Sequence, residues 1–257
     1  MKYSALTAVI LGLAASQSAQ AVNITVSDGV AGGGFSGGPT GVGNEDNEVE
    51  AGAVASQNWD LEAFDLNGSS LSLWGGYNFV SGEGQGNNLW GSGDIFIDLN
   101  GDAQWGAGTG RSDSNSYYKY DYAVVFDRSG DTLTGGYSIV SLNNTSTVTQ
   151  TYDWSGTLFD WSNPFRVREG GQSVGSGNYD YAANADASAL GLLGGAHNRL
   201  TVDLSALGDL SGALFHFTME CGNDGINGRN SVPDGGTALS LLGLGVGALG
   251  MLRRRLS

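Results

Sequence analysis

Eight segments of this chain, each five to eleven residues long, alternate or concentrate β-branched and aromatic residues, and glycine-rich sequence separates them. They are 70–74, 94–99, 117–126, 132–142, 145–154, 164–168, 198–204 and 213–219. A period of two places alternate side chains on one face of a strand, and that face must be buried against another layer. So many short strands predict an all-β fold, an antiparallel β-sandwich or jelly roll with at most one or two short helices. Composition agrees, with 44 glycines and only 3 prolines in 257 residues. Asp127-Arg128-Ser129-Gly130 and Asn143-Asn144 read as the turns between consecutive strands. One helix is expected over 182–193, where alanine and leucine concentrate before Gly194-Gly195. Glycine is spread throughout rather than gathered into a linker, so residues 22–231 read as one exported, acidic β domain.

The two ends carry addresses. Met1-Lys2, an apolar run over 5–15 and Ala19-Gln20-Ala21 form a secretory signal peptide over 1–21, which starts the mature chain at Val22. At the other end Val232-Pro233-Asp234-Gly235-Gly236 precedes an uncharged stretch over 237–252 and then Arg253-Arg254-Arg255. A helix of that length spans about 24 Å, a few Å short of a hydrocarbon core of roughly 30 Å, so it anchors only marginally. The arginines stay on the cytoplasmic side, which puts everything before Val232 outside the membrane. Pro233 and the two glycines break helix and offer extended chain to a processing enzyme.

Box, span and arginine cluster together resemble the C-terminal sorting signals of the PEP-CTERM type, most closely the VPDSG-CTERM variant, with Gly235 where that variant has serine. The resemblance implies handling by the secretion machinery and by exosortase, an integral-membrane cysteine transpeptidase. It also implies a place in the envelope or extracellular matrix of an exopolysaccharide-making bacterium. The short span and the breakable Pro-Asp-Gly junction suggest that the C-terminal transmembrane sorting helix holds the membrane only transiently, a plain unprocessed tail anchor being the alternative. Glu45-Asp46-Asn47-Glu48-Val49-Glu50, Trp59-Asp60-Leu61-Glu62 with Phe64, Gly93-Asp94-Ile95-Phe96-Ile97-Asp98 and Thr218-Met219-Glu220-Cys221-Gly222-Asn223-Asp224 are similar to a recurrent ectodomain of such proteins. That ectodomain has no established activity, so the likeness supports secretion and transfers no catalytic residue.

Without its two ends the chain keeps 7 basic against 25 acidic residues, a net charge near −18. Such a surface argues against nucleic acid and anionic lipid, which both require basic patches. A single cysteine, Cys221, excludes an internal disulfide. Its segment, 217–221, alternates like a strand, so it is read as a buried apolar sulfur rather than an intermolecular bridge.

Binding and catalytic candidates come from local patterns. Asp98, Asn100 and Asp102 place three oxygen side chains at alternate positions, as at the start of a calcium loop. Ala103 then stands where an EF-hand needs glycine, and Thr109 where it needs glutamate, so an Asn100-Gly101 hairpin turn capped by aspartates is the favoured reading. Calcium is the one cofactor the sequence suggests. The acidic run over 45–50 reads as a solvated charge cluster. Aromatic-Asp-aromatic triplets recur at Tyr120-Asp121-Tyr122, Tyr152-Asp153-Trp154, Phe159-Asp160-Trp161 and Tyr179-Asp180-Tyr181. Two rings on one strand face are core if buried, the commoner outcome, and a sugar-stacking platform if exposed. Trp90 and Trp105, in glycine-rich sequence, are expected to be exposed. The candidate glycan-binding residues are therefore Trp90, Trp105, Tyr120, Tyr122, Trp154 and Trp161.

Enzyme signatures do not assemble. Residues 34–38 and 171–175 fit G-x-S-x-G without the strand and helix that a nucleophile elbow needs. Residues 245–250 fit a dinucleotide fingerprint but lie inside the apolar span, where glycines allow close helix packing. His197 and His216 lack metal-ligand spacing, and His216 reads as a surface or hydrogen-bonded histidine. A hydrolase would need a carboxylate pair such as Glu83 with Glu169 or Glu220. The expectation is an exported envelope or matrix protein with a structural or adhesive role and no catalysis; a calcium-assisted carbohydrate-binding module is the first alternative and a secreted hydrolase the second.

Overall fold

The computed structural model describes residues 56–104, 112–151, 162–190, 192 and 194–230. The expected signal peptide, the acidic run over 45–50, Trp105, Trp154, Trp161 and the C-terminal tail lie outside the described residues.

Fourteen strands run through these residues, all paired antiparallel, as the alternation predicts. β1 (Leu61–Asn67), β2 (Ser70–Gly75), β12 (His197–Asp203) and β11 (Asp180–Ala185) form a four-stranded sheet in the order β1-β2-β12-β11. β10 (Gln172–Asn178), β7 (Thr132–Ser141), β6 (Tyr122–Ser129), β5 (Ile95–Asp98), β13 (Leu214–Thr218) and β14 (Gly225–Arg229) form a six-stranded sheet in the order β10-β7-β6-β5-β13-β14. Two small ribbons, β3 (Glu83–Gln85) with β4 (Asn88–Trp90) and β8 (Thr147–Thr149) with β9 (Arg166–Glu169), complete the strands. One helical turn, α1 (Asn115–Tyr118), starts at Ser114, whose side chain accepts from the Ser116 N–H.

The main core lies between the sheets. Leu61, Phe64, Leu71, Leu73, Leu200 and Val202 from the smaller sheet face Ile95, Ile97, Val124, Phe126, Ile139, Phe215 and Phe217 from the larger. The larger sheet is covered on its other face too, where Phe96, Tyr118, Tyr120, Ala123 and Val148 form a second cluster beneath α1 and the β8–β9 ribbon. Burial on both faces is why Ile95-Phe96-Ile97 and Leu214-Phe215-His216-Phe217 read as nearly continuous apolar runs rather than clean alternation.

Tight turns follow one recipe. Gly68-Ser69, Gly86-Asn87 and Gly130-Asp131 are two-residue loops between paired residues, and their glycines have φ of 62°, 63° and 62°. Hairpin turns of the primed types need a positive φ there, which glycine adopts without Cβ strain. The β6–β7 turn thus falls at Gly130-Asp131, two residues beyond the expected Asp127 to Gly130 turn, because β6 continues to Ser129. The Asn143 turn is as expected, with its side chain accepting from Thr145 N at 2.8 Å.

Two expectations are corrected. The described residues of 182–193 contain no helix: residues 182–185 belong to β11, with Tyr181 opposite Leu200 and Ala182 opposite Arg199. Pairing with β12 overrides alanine's helix preference, and Ala185, Ala187, Leu190 and Leu192 pack on Trp74 and Ala63 outside the smaller sheet. The segment 117–126 is not one strand, since α1 occupies its start and Lys119 turns the chain at φ 62°.

Candidate functional site

The candidate calcium residues sit where β5 ends, and their oxygens turn to the backbone. Asp98 is fully buried, and its carboxylate accepts from the N–H groups of Asn100 (3.0 Å), Gly101 (2.8 Å) and Ala103 (3.2 Å). Asp121 accepts from Leu99 N at 2.8 Å and from the Asn100 amide at 3.0 Å. Asp102 stands 3.8 Å from the Lys119 ammonium. The aspartate-capped turn expected as the favoured reading is therefore present, though not as a hairpin, because the chain runs on through α1 before returning as β6. Among the described residues no three His, Cys, Asp or Glu side chains converge to hold a metal ion.

The aromatic candidates divide between core and undescribed sequence. Trp90 is 7% exposed and belongs to the main core, contrary to the exposure expected from its glycine-rich neighbours. Folding of the β3–β4 ribbon over Tyr77, whose hydroxyl donates to Trp90 O at 2.8 Å, is what covers it. Tyr120 is 1% exposed and Tyr122 is half-buried, and the two pack in different clusters on opposite faces of the larger sheet. The shared face expected for this pair is lost because Tyr120 precedes the strand, outside its period-two register. Tyr120 stacks on His216, ring centroids 5.9 Å apart, so neither Trp90 nor Tyr120 offers a ring to a sugar.

His216 is a hydrogen-bonded core residue. It is fully buried, with Nε2 2.8 Å from Pro164 O and Nδ1 2.9 Å from Asn227 Oδ1. Burial, only partly offset by these bonds, lowers its pKa to about 4, so the ring is neutral near pH 7. His197 is also mostly buried, with Nε2 3.0 Å from Glu62 Oε2. Cys221 is buried as expected, and desolvation pushes its thiol up to about 12. A thiol this covered and this weakly ionised is expected to resist maleimide in the native protein and to react once urea unfolds it. Labelling of the native protein at the unfolded rate would contradict the buried placement.

Sequence reading missed an ionic cluster around Gly91. Asp94, completely buried, accepts from Arg128 Nη2 at 2.6 Å, Phe126 N at 3.3 Å and Val167 N at 2.9 Å. Arg128 also donates to Phe126 O and Gly93 O, each at 2.8 Å. Arg166 donates through Nε to Ser92 O at 2.9 Å and through Nη1 to Asp131 at 3.2 Å, with its guanidinium 4.3 Å from the Phe165 ring. Desolvation, reinforced by the Arg128 charge, lowers the Arg166 pKa. Glu220 accepts from Gly91 N at 3.2 Å, and burial raises its carboxyl above the usual range, as it does for Glu83 on β3. The cluster ties β5, β6, β9 and the chain after β13 together. No local pattern in the sequence singles it out, since five of the 11 basic residues, Arg128, Arg166, Arg168, Arg199 and Arg229, lie on strands. Of the hydrolase candidates, Glu169 is exposed at the end of β9, while Glu83 and Glu220 flank the Trp90-Gly91 segment.

A polar cleft of about 560 Å³ opens beside the β8–β9 ribbon, lined by Ser112, Asp113, Val148, Thr149, Gln150 and Arg168. Arg168 and Asp113 pair across 3.2 Å, both largely solvent-exposed. The G-x-S-x-G match at 171–175 lies on β10, where Ser173 is exposed and donates to Gly175 O rather than to a base.

The fold holds the chain up to the residue before the tail. Asn230 donates from its backbone to Ala213 O at 2.8 Å and from its side chain to Leu210 O at 2.9 Å, and its carbonyl accepts from Gly212 N at 3.1 Å. At the next residue a family model takes over: residues 231–256 match the VPDSG-CTERM motif. The tail is a VPDSG-CTERM sorting signal. The VPDSG-CTERM signal is the C-terminal address of PEP-CTERM type proteins, and it marks this one as exported, envelope-associated and recognised by exosortase. No curated protein and no solved structure matches the chain. Among the described residues no helix is long and apolar enough to cross a membrane, and the span expected over 237–252 lies outside them.

Proposed function

We propose that this is an envelope or extracellular-matrix component, exported through its N-terminal signal peptide, whose β domain acts structurally or adhesively and not as an enzyme. The sorting signal that follows Asn230 carries the reading, because it delivers the domain to the cell surface. The domain itself supports it: its buried charges are spent on backbone groups and on each other, as in a scaffold, and Trp90 and Tyr120 are core. The membrane is a temporary partner, released when the tail is processed. Mass spectrometry of the protein from its host's envelope is expected to find a chain that begins at Val22 and lacks Arg253 to Arg255. An intact Arg253 to Ser257 on the extracted protein would overturn processing.

Carbohydrate binding is the second reading, favoured by the cleft beside β8–β9, where a carboxylate, a guanidinium, an amide and hydroxyls converge as sugar hydroxyls require. Retention on the host's own matrix polysaccharide, with and without calcium, tests it. Loss of retention in Arg168→Ala is the expected result, and no retention of the native protein under either condition would sink the lectin role.

A further inference from the structure

The two long sides of the sandwich are finished differently. On one side β1 and β14, edge strands of the two sheets, pack on each other, and Asp224 at the start of β14 accepts from Leu61 N at 2.7 Å. β14 is buried from Gly225 to Gly228. On the other side the edges are β10, largely exposed along its length, and β11, exposed at half of its residues. Among the described residues β10 has a hydrogen-bonded neighbour, β7, on one side only. An edge strand that lacks a neighbour on one side is a template for another strand, which proteins commonly blunt with charge; here short side-chain contacts, Ser173 to Gly175 O and Ser141 to Gln172 O, reach its carbonyls.

β10 carries no such charge. Its sequence, Gln172-Ser173-Val174-Gly175-Ser176-Gly177-Asn178, lacks Asp, Glu, Lys and Arg in a chain whose net charge is −15. Most of this protein's surface repels a second copy; an uncharged edge is where two copies meet without like-charge cost. Its side chains are also small, so a partner backbone can reach the 4.7–4.9 Å spacing of paired strands. Gly175 and Gly177 face inward, toward Ile139 and Ala206 and toward the Tyr137 hydroxyl, while Ser176 and Asn178 are exposed. A bulge at Val174 disturbs the ladder to β7 at its start, but residues 175–178 continue in unbroken register. Val174 itself, 44% exposed, is one of the two large exposed apolar side chains of the described residues.

We infer that two copies of this chain associate through β10, the strands pairing antiparallel across a two-fold axis to join the six-stranded sheets into one continuous sheet. Pairing of β10 with its own copy is isologous, so it closes at two chains and gives a matrix protein a bivalent unit.

The protein recovered from its host's envelope, held in one mild detergent throughout, is compared with Ser176→Glu, Val174→Glu and, as a control for added charge, Asn144→Glu on the exposed turn after β7. Sedimentation equilibrium is expected to give twice the chain mass for the native protein and for Asn144→Glu. Each β10 variant is expected to weaken association about tenfold or more, since like charges face each other across the pair. Amide exchange over 172–178 is expected to slow as concentration rises. A native protein of single-chain mass, β10 variants as tightly associated as the native form, or association that leaves exchange in β10 unchanged would each overturn the inference. Tail processing is read separately by mass, so failure of the sorting reading would not be mistaken for failure of this one.

Discussion

Asp94→Ala is expected to lower the unfolding free energy by about 3–5 kcal/mol, read as a fall in the urea midpoint at unchanged slope. The carboxylate has no contact with solvent and accepts three hydrogen bonds, one from Arg128 and two from the backbone of β6 and β9. Removing it leaves a guanidinium 13% exposed without its counter-charge and strands two N–H groups in the interior. Asp94→Asn keeps the shape and one acceptor oxygen, so its loss is expected to be smaller. Arg128→Leu in the Asp94→Ala background is expected to recover part of the loss, because the stranded charge is then gone. An Asp94→Ala protein within about 1 kcal/mol of the native one would contradict the placement of this pair.

Acid should weaken the native protein through His216 by about 3 kcal/mol. The ring has a pKa of about 4 when folded and 6.5 as its ordinary value. Between these values the unfolded chain binds a proton that the native state refuses, so stability is full above pH 6.5 and is lost as pH falls toward 4. Glu83 and Glu220 act in the opposite sense, since burial raises their folded pKa and protonation favours the native state. The His216 contribution is therefore read from a difference, native protein minus His216→Gln, in denaturant titrations from pH 7 to pH 4. That difference is expected to shrink with falling pH. A constant difference would show that the ring is not held neutral in the core.

Strands were legible wherever apolar, β-branched and aromatic residues concentrate between glycine-rich turns: β2, β5, β7, β12 and β13 fall within a residue or so of expectation or inside an expected segment. Reading failed where a distant partner decides the outcome. Residues 180–185 carry alanines that favour helix, yet the exposed edge of β12 captures them as β11. Trp90 looked exposed because its flanking glycines say nothing of Tyr77 and the chain that closes over it. The β14 sequence, Gly225-Ile226-Asn227-Gly228-Arg229, has almost no strand signal, and β13 supplies the pairing that makes it one.

The amino-acid sequence alone determined that the chain is a β protein and where it is sent, because strand alternation and a sorting tail are written in residues a few positions apart. Only the tertiary structure decided which charges are buried in pairs, which aromatic rings are core, and which sheet edge is left open. Asp94 meets Arg128, Leu61 meets Asp224 and Tyr120 meets His216 across 34, 163 and 96 positions, and no local pattern encodes contacts formed at that range. Desolvation acts on the assembled interior, so the lowered pKa of His216 and the raised pKa of Tyr120 are set only after folding.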